Sequence, residues 1–379
     1  MIVDAHAHIF PQLAGACGYP SEDDHRRFLQ LYIATHGEPV YRLRDSAIVP
    51  EAASALSVGE LDSLDRLSDD AGFRVGRCGR FEWEYESETY YRSFLPPSLQ
   101  EMAAPVDFLL QSMARAGVDR AILQNAGLYG RLNAEFAEAM RAHPDKFIGL
   151  ADARPAEAHT AQECDRLSDA IRELGLRGVY FANRGFIAGG YRHAIDDPAL
   201  DPYWETVRAL GVPIFWEILG TPMPALERYL CELDRLDGWL QRFPDIPCVL
   251  THGFSPDLLE GTTPDPVARL LSRENLTIEL LYPIHWGRLH DYPWPELRPV
   301  IERQIQLAGA SRLAWGSDMP NVERNCTYRQ SLEYLPRILD GVVSASDLDW
   351  ILGGNMARLF SLNVSKMGPA SWGGEDRTG

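Results

Sequence analysis

Seven apolar runs recur along the chain at nearly constant spacing, and that spacing restricts the fold more than any other feature. They are Arg120–Gln124, Phe147–Asp152, Gly178–Phe181, Pro213–Glu217, Pro247–His252, Leu276–Leu281 and Arg312–Asp318, and successive starts lie 27 to 36 residues apart. Between them lie segments of helical apolar periodicity: Leu132–His143, Gln162–Leu174, Asp201–Leu210, Ala225–Phe243, Val267–Arg273 and Pro299–Leu307. Strand, helix and strand at about 30 residues is the βαβ period, so the strands run parallel. The stretch Ile2–His8 supplies an eighth strand. Eight parallel strands predict an α/β fold closed as a (β/α)8 TIM barrel. No glycine-rich phosphate turn follows any run, which counts against an open nucleotide-binding sheet.

One stretch breaks the rhythm. Residues 10–105 hold turn residues, a short helical segment at Val58–Asp70 and an alternating run, Phe73–Tyr85, that reads as a hairpin with glycine at its bends. Trp83, Tyr85, Tyr90, Tyr91 and Phe94 crowd its second half. An insertion of this size after the first strand is expected to act as a cap over a pocket. The barrel is then expected to comprise residues 1–9 and 106–365. It resumes with a helix at Val106–Ala116 and closes with helices at Arg329–Leu339 and Ser346–Leu359. Residues 366–379 read as a disordered tail.

In such barrels chemistry gathers where strands end and loops begin. On strand geometry Asp4, His6 and His8 share one face, which places two imidazoles one step apart to grip a cation above a carboxylate. Further runs end in Glu217, His252 and Asp318. The run Leu276–Leu281 carries Glu279 and is followed by Tyr282, His285 and His290. Three histidines and three carboxylates on one rim are tolerable only around bound cations.

Charge decides what such a rim serves. With 36 basic and 54 acidic residues the formal net charge is −18, which argues against nucleic acid or an anionic membrane as partner. No apolar run is long enough to span a bilayer, and no basic-then-apolar leader is seen, so neither a membrane span nor a targeting segment is expected. Six cysteines are scattered without paired spacing, so neither a zinc ribbon nor a disulfide framework is expected, and a reducing cytoplasm is the expected compartment. A homo-oligomer is compatible with these features.

The segments Asp4-Ala5-His6-Ala7-His8, Thr251-His252-Gly253, Trp315-Gly316-Ser317-Asp318-Met319-Pro320 and Asn355-Met356-Ala357-Arg358-Leu359-Phe360 together resemble the amidohydrolase superfamily, in its branch of small barrel hydrolases and decarboxylases. The likeness covers essentially the whole chain outside the insertion. It implies that His6 and His8 bind metal, that Asp318 binds metal or moves protons, and that His252 is a ligand or polarises the substrate. That branch carries histidine where this chain has Glu217. A carboxylate there adds a bridging donor, which is how proteins hold two metal ions close together. With Glu279 nearby, the donor set moves toward the mixed nitrogen and oxygen kind that iron and manganese take. The segments Tyr282-Pro283-Ile284, His290-Asp291-Tyr292-Pro293 and Thr327-Tyr328-Arg329-Gln330 are similar to an oxygen-activating offshoot, which includes the platensimycin-pathway di-iron monooxygenase and isobutylamine N-hydroxylase.

The resulting expectation is a non-haem di-iron monooxygenase that uses O2 to hydroxylate a C–H or N–H bond of a small molecule. Two iron ions, with manganese or zinc as substitutes, would be held by His6, His8, Glu217, His252, Glu279 and Asp318. Asp318 and His252 would be catalytic, and Asp4, Tyr282, His285 and His290 would support the ligands or line the substrate pocket. The alternative is a zinc or manganese hydrolase or decarboxylase acting on a carboxylate, lactone or amide. A third reading, a non-catalytic barrel partnering an active paralogue, is disfavoured by the nearly complete ligand set.

Overall fold

All the apolar runs become barrel strands. In the computed structural model they are β1 (Val3–Ala7), β2 (Arg120–Leu123), β3 (Phe147–Gly149 and Ala151–Asp152), β4 (Val179–Ala182), β5 (Ile214–Glu217), β6 (Cys248–Leu250), β7 (Leu276–Leu280) and β8 (Leu313–Trp315). The structure describes residues 1–362 apart from Met223; the expected tail and the side chain of His285 lie outside the described residues. Each strand pairs in parallel with the next. The ring closes through the Ala7–Met319 bridge, the His8 N–H to the Met319 carbonyl (2.7 Å) and the Asp318 N–H to the His6 carbonyl (2.8 Å). It is distorted at β3, which breaks at Leu150: its first part pairs with β2 and its second with β4.

The strands read as nearly unbroken apolar runs because both of their faces are covered, one by the barrel interior and one by helices. The helices between strands include Val106–Ala116, Asn133–Ala142, Ala161–Arg172, Asp201–Leu210, Leu226–Arg242, Asp265–Ser272 and Arg298–Ala308. Two helices stop where a glycine can enter left-handed backbone: Gly117 (φ 78°) after Val106–Ala116 and Gly211 (φ 66°) after Asp201–Leu210. Outside β5, the rings of Trp204, Trp216 and Trp239 lie 4.9–5.4 Å apart and are fully buried. Buried aromatic clusters of this size dominate core energetics, each ring costing about 3–5 kcal/mol to truncate.

The insertion departs from its expected detail. Its main helix, Glu22–Thr35, starts at Ser21, whose side chain accepts the Asp24 N–H. Val58–Asp70 is not a helix; it holds turns and one short 3-10 turn at Leu64–Arg66. Arg74–Val75 and Arg80–Tyr85 do pair, but the longer partner of Arg80–Tyr85 is Glu88–Ser93. That hairpin turns at Glu86 and Ser87, both in left-handed backbone (φ 48° and 65°), a pair without the usual glycine signal. Glu38 fastens the insertion to the barrel loops by ion pairs to Arg324 (3.3 Å) and Arg288. No helix among the described residues is long and apolar enough to cross a membrane.

Candidate metal centre

The alternation of β1 puts Asp4, His6 and His8 on one side, and all three are buried. Asp4 belongs to the frame. Its oxygens accept the His6 N–H (3.0 Å), the Ser317 N–H (2.9 Å), the Ser317 hydroxyl (2.5 Å) and the Tyr328 hydroxyl (2.7 Å), tying β1 to the segment after β8. Burial still raises its pKa to about 6, against those hydrogen bonds.

His8 and His6 are each held from behind. His8 Nδ1 lies 2.8 Å from the Gln124 carbonyl oxygen. A carbonyl only accepts, so Nδ1 carries a proton and Nε2 is the nitrogen turned to the site. His6 Nδ1 lies 2.8 Å from Oε2 of Glu279. Burial pushes the Glu279 carboxyl up to about 8, so a proton sits in this contact. Burial pushes His6 down to about 3, against the opposing pull of Asp318 and Glu217, and its ring is neutral.

The front faces of the two rings converge. Their Nε2 atoms are 3.0 Å apart, and Oδ1 of Asp318 stands 2.9 Å from that of His8 and 3.8 Å from that of His6. Burial alone would raise Asp318, but the contact with His8 and the neighbouring imidazoles of His6, His8 and His252 hold it down at about 2, so it is a carboxylate. Two imidazole nitrogens and a carboxylate oxygen therefore converge within 3.8 Å of one another, the donor set that a bound cation would take. Among the described residues, this is the one group of histidine, cysteine and carboxylate side chains whose ligand atoms all fall within 4.8 Å of one another. Two imidazole nitrogens and a carboxylate oxygen suit zinc, manganese or iron.

The backbone is strained at the same place. Asp318 (φ 59°) and His252 (φ 63°) both occupy left-handed backbone, which costs a non-glycine residue about 1–3 kcal/mol and clusters at functional sites. Asn321 steadies Asp318, its Nδ2 lying 3.3 and 3.4 Å from the two carboxylate oxygens and 2.6 Å from the Tyr129 hydroxyl.

The other expected donors take different places. Both oxygens of Glu279 are engaged: Oε2 with His6 Nδ1 and the His252 N–H (3.1 Å), Oε1 with the Gln124 side-chain N–H (2.6 Å). His252 stacks on His6 with centroids 5.0 Å apart, and burial, with the neighbouring His6 imidazole, lowers its pKa. Glu217 is buried, and its Oε2 has no hydrogen-bond partner. His252 and Glu217 both line the cavity in front of His6, His8 and Asp318. Tyr282 lines it too, with its hydroxyl on Gln304 at 3.0 Å. His290 stacks on Trp286 and lies 3.7 Å from Glu296. Sequence reasoning passed over Gln124, Tyr129 and Asn321, although a polar pair at Gln124–Asn125 directly after an apolar strand was the available signal.

The cavity measures about 440 Å³, within the range of small-molecule sites. Tyr32, His36 and Phe94 of the insertion line it together with the barrel residues.

Residues 3–362 match the family described as amidohydrolase. The chain belongs to the amidohydrolase family. Solved structures of the same fold include a probable 2-pyrone-4,6-dicarboxylic acid hydrolase from Acinetobacter baumannii with citric acid bound. It is 18% identical, with a TM-score of 0.53 over 69% of this chain and 90% of that one. A 2,6-dihydroxybenzoate decarboxylase from Rhizobium is 18% identical, with a TM-score of 0.52 over 68% and 88%. A dihydroxybenzoic acid decarboxylase from Polaromonas, solved with manganese and 2-nitroresorcinol, is 18% identical, with a TM-score of 0.51 over 68% and 86%. At these identities the likeness is one of fold. No curated protein matches the sequence.

For this member of the amidohydrolase family the di-iron monooxygenase expectation is overturned, and with it the use of O2. Among the described residues a single group of three donors, His6, His8 and Asp318, converges, which provides for one ion and not for two. The solved structures of this fold named above are a hydrolase and decarboxylases. The segments that suggested the oxygen-activating offshoot have structural work instead. Thr327 and Gln330 form the capping box of the helix Tyr328–Ile338, and Tyr328 holds Asp4. Pro283 and Ile284 give their carbonyls to Asn325.

Proposed function

We propose that this amidohydrolase is a metal-dependent hydrolase or decarboxylase with a single zinc or manganese ion held by His6, His8 and Asp318. The observation that carries the reading is the convergence of two imidazole nitrogens and a carboxylate oxygen at the wall of a 440 Å³ cavity. A divalent ion bound there supplies Lewis acidity to a carbonyl or carboxylate of the substrate.

The chain's own residues do the rest. Gln124 and Glu279 orient the two imidazoles by their Nδ1 atoms, as outer partners of metal-binding histidines do. His252, neutral and facing the cavity, accepts a proton or hydrogen-bonds the substrate. Glu217, with one bare oxygen in the same wall, is the second group able to hold a proton. Asp4 keeps β1 and the Ser317–Asp318 segment in register. Residues 10–105 act as the cap, with Tyr32 and Phe94 limiting water and shaping the substrate space.

The test is purified protein loaded with zinc or manganese under nitrogen and offered lactones, amides and hydroxybenzoic acids. Turnover without O2 that disappears in His8→Ala supports the reading. A wild type that retains no metal, or turnover indifferent to His8, overturns it.

A further inference from the structure

Arg184 stands two residues beyond the end of β4, whose last residue, Ala182, pairs in register with Glu217 of β5. It lines the cavity with Tyr32, Tyr180 and Glu217. Its guanidinium lies over the Tyr32 ring at 4.5 Å, and its Nη1 donates to the Thr35 hydroxyl at 3.1 Å. Neither partner carries a negative charge. Nearby arginines are neutralised: Arg324 by Glu38 (3.3 Å), Arg131 by Asp152 (3.2 Å) and Arg154 by Glu157 (3.5 Å). Among the described residues Arg184 forms no ion pair with a carboxylate, although it stands at the cavity wall.

The position is also rigid on both sides. Asn183 is clamped to Leu219, accepting its N–H at 3.0 Å and donating to its carbonyl at 2.8 Å, and it donates to Glu232 at 3.2 Å. Gly185 is pressed against Pro155, where a Cβ would come within 2.7 Å of the ring. A cation held this way loses little freedom when an anion arrives, and the planar guanidinium fork matches a carboxylate.

We infer that Arg184 is the receptor for a second carboxylate on the substrate, separate from the group that meets the metal centre. The substrate class is then a small, ring-bearing dicarboxylate, with its ring among Tyr32, Phe94 and Tyr229 of the cavity wall. This inference rests on the one-metal reading above.

The probes are isophthalate, with two carboxylates, and benzoate, with one, titrated calorimetrically into the manganese-loaded full chain. Isophthalate should bind at least about tenfold tighter than benzoate, the effect of one charge-assisted pair. Arg184→Gln should abolish that preference while leaving benzoate affinity and metal content unchanged, and Arg184→Lys should restore part of it. Equal binding of the two probes by loaded wild type, or a preference that survives in Arg184→Gln, overturns the inference. Should Arg184→Gln fail to fold, a preference in Arg184→Lys as large as in wild type overturns it, because a point charge cannot reproduce the fork. Metal content separates the two readings. Loaded protein without the preference refutes the carboxylate receptor alone, whereas protein that takes up no metal yet prefers isophthalate through Arg184 refutes the metal reading alone.

Discussion

Oε2 of Glu279 faces Nδ1 of His6 at 2.8 Å and also accepts the His252 N–H at 3.1 Å, so one oxygen sets both a ring and the backbone of its stacked neighbour. Glu279→Gln should keep the fold but present an amide of uncertain orientation to His6. Metal affinity is expected to fall about 10- to 100-fold. Competition with a chelator measures it, and an unchanged affinity would remove Glu279 from the ligand support.

Stripping the metal should abolish turnover and lower the melting temperature together. An ion that binds only the folded chain stabilises it by about 2.7 kcal/mol at a hundredfold excess over Kd. Dialysis against a chelator followed by zinc or manganese should reverse both changes in wild type and neither in His8→Ala. Activity that survives complete metal removal would contradict this.

Asp4→Asn replaces a carboxylate accepting four hydrogen bonds with a group that must point an NH2 at hydroxyl or backbone donors. A loss of about 1–3 kcal/mol is expected, together with looser metal binding through displacement of β1 against Asp318. Chemical denaturation reads the first effect and metal titration the second. Full stability in the variant would mean that these contacts are not the frame of the site.

A pH effect on stability is expected far from the metal, at Asp237. This buried carboxylate accepts from Arg269 Nε (2.9 Å), Arg273 Nε (2.6 Å) and Gln241 (3.1 Å). Burial would raise its pKa, but Arg273 and Arg269 outweigh burial and lower it. A lowered folded-state pKa gives stability that is present above the ordinary aspartate value and is lost as pH falls through the folded one. Asp237→Asn should therefore cost about 1–2 kcal/mol near neutral pH, with the gap to wild type closing below about pH 4. A gap that stays constant with pH would show that the carboxylate charge is not responsible.

The barrel was legible because its signal is repeated. Each strand end predicts the next about 30 residues on, and glycine stops at Gly117 and Gly211 fix helix ends to the residue. The insertion carries no such repetition. Its helix Glu22–Thr35 opens on Glu22, Asp23, Asp24 and His25, which hides the buried stripe of Leu29, Tyr32 and Ile33, and only Ser21 marks its start. In the site, alternation along β1 and position at a strand end were enough to pick out His6, His8 and Asp318. The count of metals was beyond reach. Whether a carboxylate has an oxygen to spare depends on partners such as Gln124, which lies 155 residues from Glu279 along the chain.

His252 and Asp318 hold backbone angles that glycine would adopt without penalty. A laboratory selection for heat resistance alone, run on the metal-free chain, would accordingly favour glycine at both positions, and each gain would delete a side chain from the cavity wall. Variants enriched by such a screen should melt later and turn over nothing, so thermal ranking of this protein is a poor guide to its competence.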